Sequence, residues 1–516
     1  MALPTLGQAG CQIRTLELPI KMVGLRAVAT VGINGTSVPL TVDSGAFFSF
    51  LTEAAAAQLQ LHLTRNSASR PEGVPEFHLN RNSALRVEGL TGRVDAYTTR
   101  VDKLQLLKGE MSHVEFIVGG NEPGAGTMGL MGRNLLSFTD TEYDLAHGVI
   151  RFLYPNDDCA KSNMAYWAGS SPVTEIDLVT ENRDGKAPAI RAHAKLNGSE
   201  LTALFDTGAR TVVSLRAARR AGVTESAMAP AGTSYGAGSG SAKTWTAAFE
   251  KFEIGGETIL HNRLHVADFD LEEADMLLGI DFFLSHRIYV SKKQSKMFFT
   301  YNGGAVFALD KSASASALDP SAAPAASDAT AVTADQLARR GASSAARRNY
   351  EDALADLNRA IELEPQSAAL FAQRGVIHQA LRLPAQALDD FDKALELDPT
   401  QADARLRRVS LRISAKNREG AKADLDALDH VLASEAQMRL AMSRLYVEIE
   451  QYAQALVQLN DWLSAHPHEV KRDAALNSRC WTRLLLGIEL DQALDDCNEA
   501  IDGDSKNPAY FDSRGW

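Results

Sequence analysis

Apolar and polar positions follow two different rhythms along this chain. Over residues 12–160, apolar and β-branched residues alternate with polar ones between glycine turns, the pattern of half-buried strands. The stretch "ATVGINGTSVPLTV" predicts a hairpin turning at Asn34-Gly35, a type I′ signal. Residues 172–305 repeat this arrangement, with "IRAHAKLNGSELTALF" turning at Asn197-Gly198. At the same spacing from each turn stands an aspartate, Asp43 in one unit and Asp206 in the other. A loop follows, then a short helix with Thr52 or Ser214 as the expected N-cap. Each unit later reaches two apolar residues and a glycine, Leu130-Met131-Gly132 and Leu277-Leu278-Gly279, before its closing strands. The whole unit is duplicated, so the two aspartates share one structural context.

After residue 333 the period lengthens. Ala353, Ala387, Ala421 and Ala455 recur every 34 residues, and Ala360, Ala394, Leu428 and Trp462 follow them at a constant offset. Pro365, Pro399 and Pro467 close three of these units. Two helices per unit, small residues at their crossing and proline at the exit resemble tetratricopeptide (TPR) repeats, which stack into a solenoid over 334–516. A fifth, longer unit centres on Ala493, and the chain ends at Trp516 inside a sixth, so the natural sequence is expected to continue. Residues 311–333, rich in Ala, Ser and Pro, read as a linker with no apolar face.

Charge narrows the function. A net charge of −12 argues against nucleic acid and anionic membranes as partners, because both need a basic footprint. No apolar run is long enough to span a bilayer. Cys11 and Cys159 bracket the first unit, while Cys480 and Cys497 fall on the two helices of the fifth repeat. That placement suggests two disulfides and an oxidising compartment, periplasmic or secreted, with a targeting segment removed. Four buried thiols in a cytoplasmic protein is the open alternative.

A lone buried aspartate loses its hydration, so an Asp placed after an apolar strand needs a partner. The glycine that follows lets two loops approach closely. If the units pack about a pseudo-twofold axis, the two carboxylates meet and share one proton. One then takes a proton from water while the other donates to a carbonyl oxygen. Asp43-Ser44-Gly45-Ala46 and Asp206-Thr207-Gly208-Ala209, with the two apolar-apolar-Gly motifs, resemble the retropepsin-like branch of the aspartic proteases. The resemblance covers about residues 12–305 and implies two lobes in one chain, 12–160 and 172–305, with Asp43 and Asp206 as catalytic dyad. Ser44, Gly45, Thr207 and Gly208 would support the active-site loops, the hydroxyls bonding across to the opposite backbone. Pepsin-like members usually carry Ser or Thr after the triplet. Alanine at 46 and 209 therefore implies a mildly acidic to near-neutral pH optimum.

The resemblance also implies a hairpin flap over the site, with candidates around Gly89 and Gly92 and around Tyr235 and Gly236. Tyr97 reads equally as a sheet residue. Phe47-Phe48 is bulky for a catalytic loop and either lines a pocket or wedges the core. "GAGTMG" at 124–129 matches a dinucleotide-loop pattern, but it lacks the βαβ context and is set aside. The histidines show no metal-ligand spacing, so neither metal nor cofactor is expected. The expected architecture is multidomain β + α: a bilobal aspartic-protease β fold followed by a TPR solenoid. The expected function is an aspartic endopeptidase whose repeats dock a protein partner or substrate. The runner-up is a non-catalytic bilobal scaffold whose repeats act as an adaptor.

Overall fold

The computed structural model describes residues 11–64, 85–89, 92–119, 124, 126–169, 171–179, 189–235, 241–269, 274–303, 306–307, 332–433, 436–467, 469, 471–505 and 507–516. Most of the linker, residues 311–331, lies outside them. The chain divides into two compact units. One is Met1–Val332 with Arg339–Asn349, and the other is Thr333–Ala338 with Tyr350–Trp516.

The first unit holds two lobes of matching topology. Strands Arg26–Ile33 and Thr36–Val42 form the first predicted hairpin, and Arg191–Leu196 and Ser199–Phe205 form the second. Asn34 and Asn197 both adopt positive φ, 49° and 48°, followed by glycines at 87° and 82°, as the type I′ reading requires. In each lobe the hairpin's second strand runs parallel to the strand of the later glycine motif, Val42 beside Met131 and Phe205 beside Leu278. Both short helices start as expected. The Thr52 hydroxyl accepts from the Ala55 amide at 3.0 Å, and Ser214 accepts from Ala217 at 3.2 Å. Apolar residues from both lobes, among them Leu40, Phe116, Phe205 and Phe283, form one continuous core.

The closing strands do more than finish each lobe. They merge into one six-stranded sheet, ordered Ile13–Pro19, Val149–Pro155, Asp140–Asp144, His286–Ser291, Lys296–Tyr301 and Thr174–Asp177. The lobes join where Thr141 pairs with Val290 and Tyr143 with Ile288. Buried Glu142 sits on this seam. It accepts from Arg287 Nε of the second lobe at 2.9 Å and is paired with Arg151 of its own lobe, with the Tyr166 hydroxyl completing its shell. Burial would raise the neighbouring Asp144, but the His147 hydrogen bond and the Arg287 and Arg151 charges hold it below the usual carboxylate range. The cost of burying these charges is offset by pairing, so the seam tolerates one register.

Cys11 and Cys159 are bonded, with Cα atoms 4.6 Å apart, tying the start of the first lobe to its end. Most of the helix Ala334–Ala346 packs with this unit, and its buried Ser343 donates to the Leu145 carbonyl at 2.6 Å.

The second unit is built of helix pairs: Ala368–Ala380 with Pro384–Leu397, Ala402–Ser414 with Arg418–Asp429, Met438–Glu448 with Tyr452–Ala465, and Arg472–Leu486 with Leu490–Gly503. The period residues Ala353, Ala387, Ala421, Ala455, Ala360, Ala394, Leu428 and Trp462 are all fully buried. A feature the apolar pattern hid is a buried ion pair that recurs across three of these four helix pairs. Arg374 holds Asp390, Arg408 holds Asp424 and Arg479 holds Asp496. Between the second and third of these pairs, Gln458 replaces the aspartate and Arg439 binds its amide oxygen at 2.6 Å. Cys480 and Cys497 are bonded across the last of these pairs, with Cα atoms 5.6 Å apart. Among the described residues no helix is long and apolar enough to cross a membrane.

Candidate active site

Each aspartate stands at the end of its lobe's hairpin, pinned by the backbone of the glycine-motif strand. The Asp43 amide donates to the Met131 carbonyl at 3.0 Å, and the Asp206 amide donates to the Leu278 carbonyl at 3.0 Å. The loops that follow interlock. The Ser44 hydroxyl donates to the Phe205 carbonyl at 3.0 Å and accepts from the Thr207 amide at 3.0 Å. The Thr207 hydroxyl donates to the Val42 carbonyl at 2.9 Å and accepts from the Ser44 amide at 3.0 Å. Both hydroxyls are fully buried, so each lobe satisfies polar groups that the other would otherwise strand.

Glycine makes the approach possible. A Cβ on Gly45 would lie 2.4 Å from Cγ of Asp206, and one on Gly208 would lie 2.4 Å from Cγ of Asp43. Each carboxyl therefore rests on the opposite loop's backbone, which brings the two aspartates to the same point between the lobes. Asp43 Oδ1 accepts from the Gly45 amide at 3.0 Å and the Ala46 amide at 2.7 Å. Asp206 Oδ1 accepts from the Gly208 amide at 2.8 Å. Burial first, and the Asp43 charge second, push the Asp206 carboxyl well above the ordinary range. Two carboxyls that close can share one proton, and a pair sharing one proton offers an acid and a base at a single point.

A second tie behind each loop escaped the sequence reading. Ser49 donates to Asn134 Oδ1 at 2.7 Å while accepting from the Gly132 amide. In the other lobe, Thr211 donates to Asp281 Oδ1 while accepting from the Gly279 amide. A Cβ on Gly132 or Gly279 would strike the backbone of Phe48 or Arg210, so both motifs need glycine for close contact. The polar residue two places after each glycine was the available signal, but its partner lies 85 or 70 positions away. Asp281 is buried and its carboxyl is pushed up by that burial.

Phe48 is buried and clusters with Phe47, Phe50, Ala96 and Ile117. Phe47 itself is half-buried. Gly89 and Gly92 face each other at the end of a hairpin whose turn, residues 90–91, lies outside the described residues. Tyr235 pairs with Ser241 in the matching hairpin of the second lobe, and Gly236 lies outside the described residues. Tyr97 is partly buried against the core of the first lobe.

Comparison with known proteins agrees with this geometry. Residues 29–137 match the family model described as gag-polyprotein putative aspartyl protease, and residues 192–282 match the one described as aspartyl protease. Each lobe thus matches an aspartyl-protease family model. The two matches fall on the two lobes separately, each containing one of the aspartates. No curated protein matches the chain. Among solved structures, the chain is similar to YrrB, described as a TPR protein with an unusual peptide-binding site (16% identity, TM-score 0.31, covering 35% of this chain and 91% of that one). MamA from Desulfovibrio magneticus RS-1 gives 17% identity and a TM-score of 0.30, covering 34% and 96%. Pseudomonas aeruginosa pilF gives 19% and 0.30, covering 35% and 87%. The helical half rests for its own assignment on the 34-residue period and the stacked helix pairs.

Proposed function

We propose that the β unit is an aspartic endopeptidase with Asp43 and Asp206 as its dyad. The crossed hydrogen bonds of Ser44 and Thr207, which set two carboxyls against each other over two glycines, carry this reading. In the singly protonated pair, the ionised carboxylate takes a proton from water as the oxygen attacks a peptide carbonyl. The protonated partner donates to the carbonyl oxygen as it becomes tetrahedral. Collapse of that intermediate passes a proton to the leaving amine and restores the pair. The test is hydrolysis of an unstructured protein such as reduced casein by the wild type, Asp43→Asn and Asp206→Asn. The wild type should cleave and both variants should lose at least about a thousandfold in rate while keeping their circular dichroism spectra. Equal rates in all three would remove the reading and leave the scaffold alternative.

We further propose that the repeats dock a protein partner or the substrate. A cavity of about 350 Å³ among Arg444, Asn477, Trp481, Asp512 and their neighbours offers both an aromatic face and polar groups for such a chain. The two disulfides favour an oxidising compartment, periplasmic or extracellular.

A further inference from the structure

The two matched loops differ in charge. The fourth residue after the aspartate is Phe47 in the first lobe and Arg210 in the second. Arg26 opens the first lobe's hairpin, and the residue at the same distance before Asp206 is Ala189. Because the loops cross, Arg26 serves the opposite one: its Nη1 donates to the Gly208 carbonyl at 2.6 Å. Both arginines therefore gather on the loop that carries Asp206, while the Asp43 loop receives only the buried Arg133, whose Nε lies 3.4 Å from the Ala46 carbonyl, and offers the half-buried ring of Phe47.

Among the described residues many arginines are paired with carboxylates, as Arg151, Arg287, Arg374, Arg408 and Arg479 show. Among the described residues, neither Arg26 nor Arg210 has a carboxylate partner. Arg26 is half-buried and uses one of its five donors on a neutral carbonyl, whereas Arg210 is exposed. An unpaired, partly desolvated guanidinium beside an active-site loop favours a planar anion that can accept two hydrogen bonds at once. In a chain of net charge −12, two such groups on one loop set a local field opposite to that of the whole molecule.

We infer that the cleft takes a peptide carrying an aspartate or glutamate side chain on the Asp206 side of the dyad, held by Arg210 and Arg26, and an apolar or aromatic side chain on the Asp43 side. This rests on the endopeptidase reading for its substrate but makes a separate claim about binding. The carboxylate would take the free donors of the two guanidinium groups, and the Phe47 cluster would cover the apolar side chain.

The experiment uses the full chain and dodecapeptides with a central phenylalanine, scanned position by position with Glu against Gln. Cleavage by the wild type is read as kcat/KM, and binding of the same labelled peptides to Asp43→Asn is read by fluorescence polarisation. At one or two positions on one side of the bond, Glu should be favoured over Gln by roughly tenfold. The preference should shrink in high salt, shrink in Arg210→Ala and in Arg26→Ala, and turn toward Lys in Arg210→Glu. Arg210 is exposed, so its variants test the idea even where Arg26→Ala fails to fold. Equal handling of Glu and Gln, in cleavage and in binding, overturns the inference and leaves the endopeptidase standing. Selective binding of Glu peptides without any cleavage keeps the acidic site and overturns the endopeptidase. Peptides neither bound nor cut overturn both.

Discussion

The amide of Thr207 donates to the Ser44 hydroxyl at 3.0 Å while the amide of Ser44 donates to the Thr207 hydroxyl at 3.0 Å, a reciprocal bond between residues 163 positions apart. Each hydroxyl also donates onward to a buried carbonyl of the other lobe. Thr207→Val keeps the shape but strands the Ser44 amide and the Val42 carbonyl. We expect it to cost about 1–3 kcal/mol in urea unfolding and to lower kcat, with Thr207→Ser restoring both. An unchanged unfolding midpoint would mean the crossed bonds do not hold the loops.

Gly45→Ala and Gly208→Ala should separate chemistry from folding. Their new methyl carbons meet the opposite carboxyl carbon at 2.4 Å, well inside contact distance. The carboxyl must turn or the loop must retreat by about an ångström, a displacement that costs about a hundredfold in rate when reacting groups depend on it. The expected result is hydrolysis reduced by at least that factor in both variants. Wild-type turnover in either would show that the dyad does not need this spacing.

The raised Asp206 carboxyl makes a stability prediction whose sign is fixed. Its folded-state pKa lies above the ordinary aspartate value of 3.8, through burial and then the Asp43 charge. As pH climbs past about 4, the unfolded chain releases this proton before the folded one does, so the group destabilises the fold increasingly toward neutrality. Asp206→Asn removes that penalty. Its Tm should exceed the wild type's at pH 7, with the gain fading as pH falls toward 4. A Tm difference independent of pH would show that Asp206 ionises as easily folded as unfolded.

Local signals carried most of this architecture. Asn34-Gly35 and Asn197-Gly198 set their turns by backbone chemistry alone, and Thr52 and Ser214 cap their helices within three residues. The aspartates were legible because duplication made Asp43 and Asp206 vouch for each other. Contacts whose partners are far apart in sequence were not legible. The merging of closing strands into one sheet depends on Thr141 meeting Val290, and alternation within a strand is silent about its neighbour. The Ser49–Asn134 and Thr211–Asp281 ties, and the reach of Arg26 to Gly208, are of the same kind. In the helical half, the period exposed Ala387 and Ala421, but buried Asp390 and Asp424 resemble surface residues until their arginines are seen.

The pH profile supplies the last prediction. The active pair holds one proton, so its rate rises and falls with two macroscopic values belonging to both residues. Hydrogen bonds to the ionised form pull those values down, and burial with mutual repulsion pushes them up. Asp43 Oδ1 already accepts two amides, from Gly45 and Ala46, whereas Asp206 Oδ1 accepts the amide of Gly208. The Ala209 amide instead points to the backbone carbonyl of Asp206, at 3.4 Å. Neither alanine has a hydroxyl to add. Ala46→Ser places a new donor on a residue whose amide is already 2.7 Å from the carboxylate, while Ala209→Ser places one beside a residue turned toward the backbone. Serine at 46 should therefore move the bell toward lower pH, by up to about one to two units for one charge-assisted hydrogen bond. Serine at 209 should move it less, and the double variant should lie near the first. The measurement is kcat/KM against pH for the wild type and the three variants on one peptide. An unmoved profile in Ala46→Ser, or a larger shift from Ala209→Ser, would show that groups outside these two loops set the dyad's protonation.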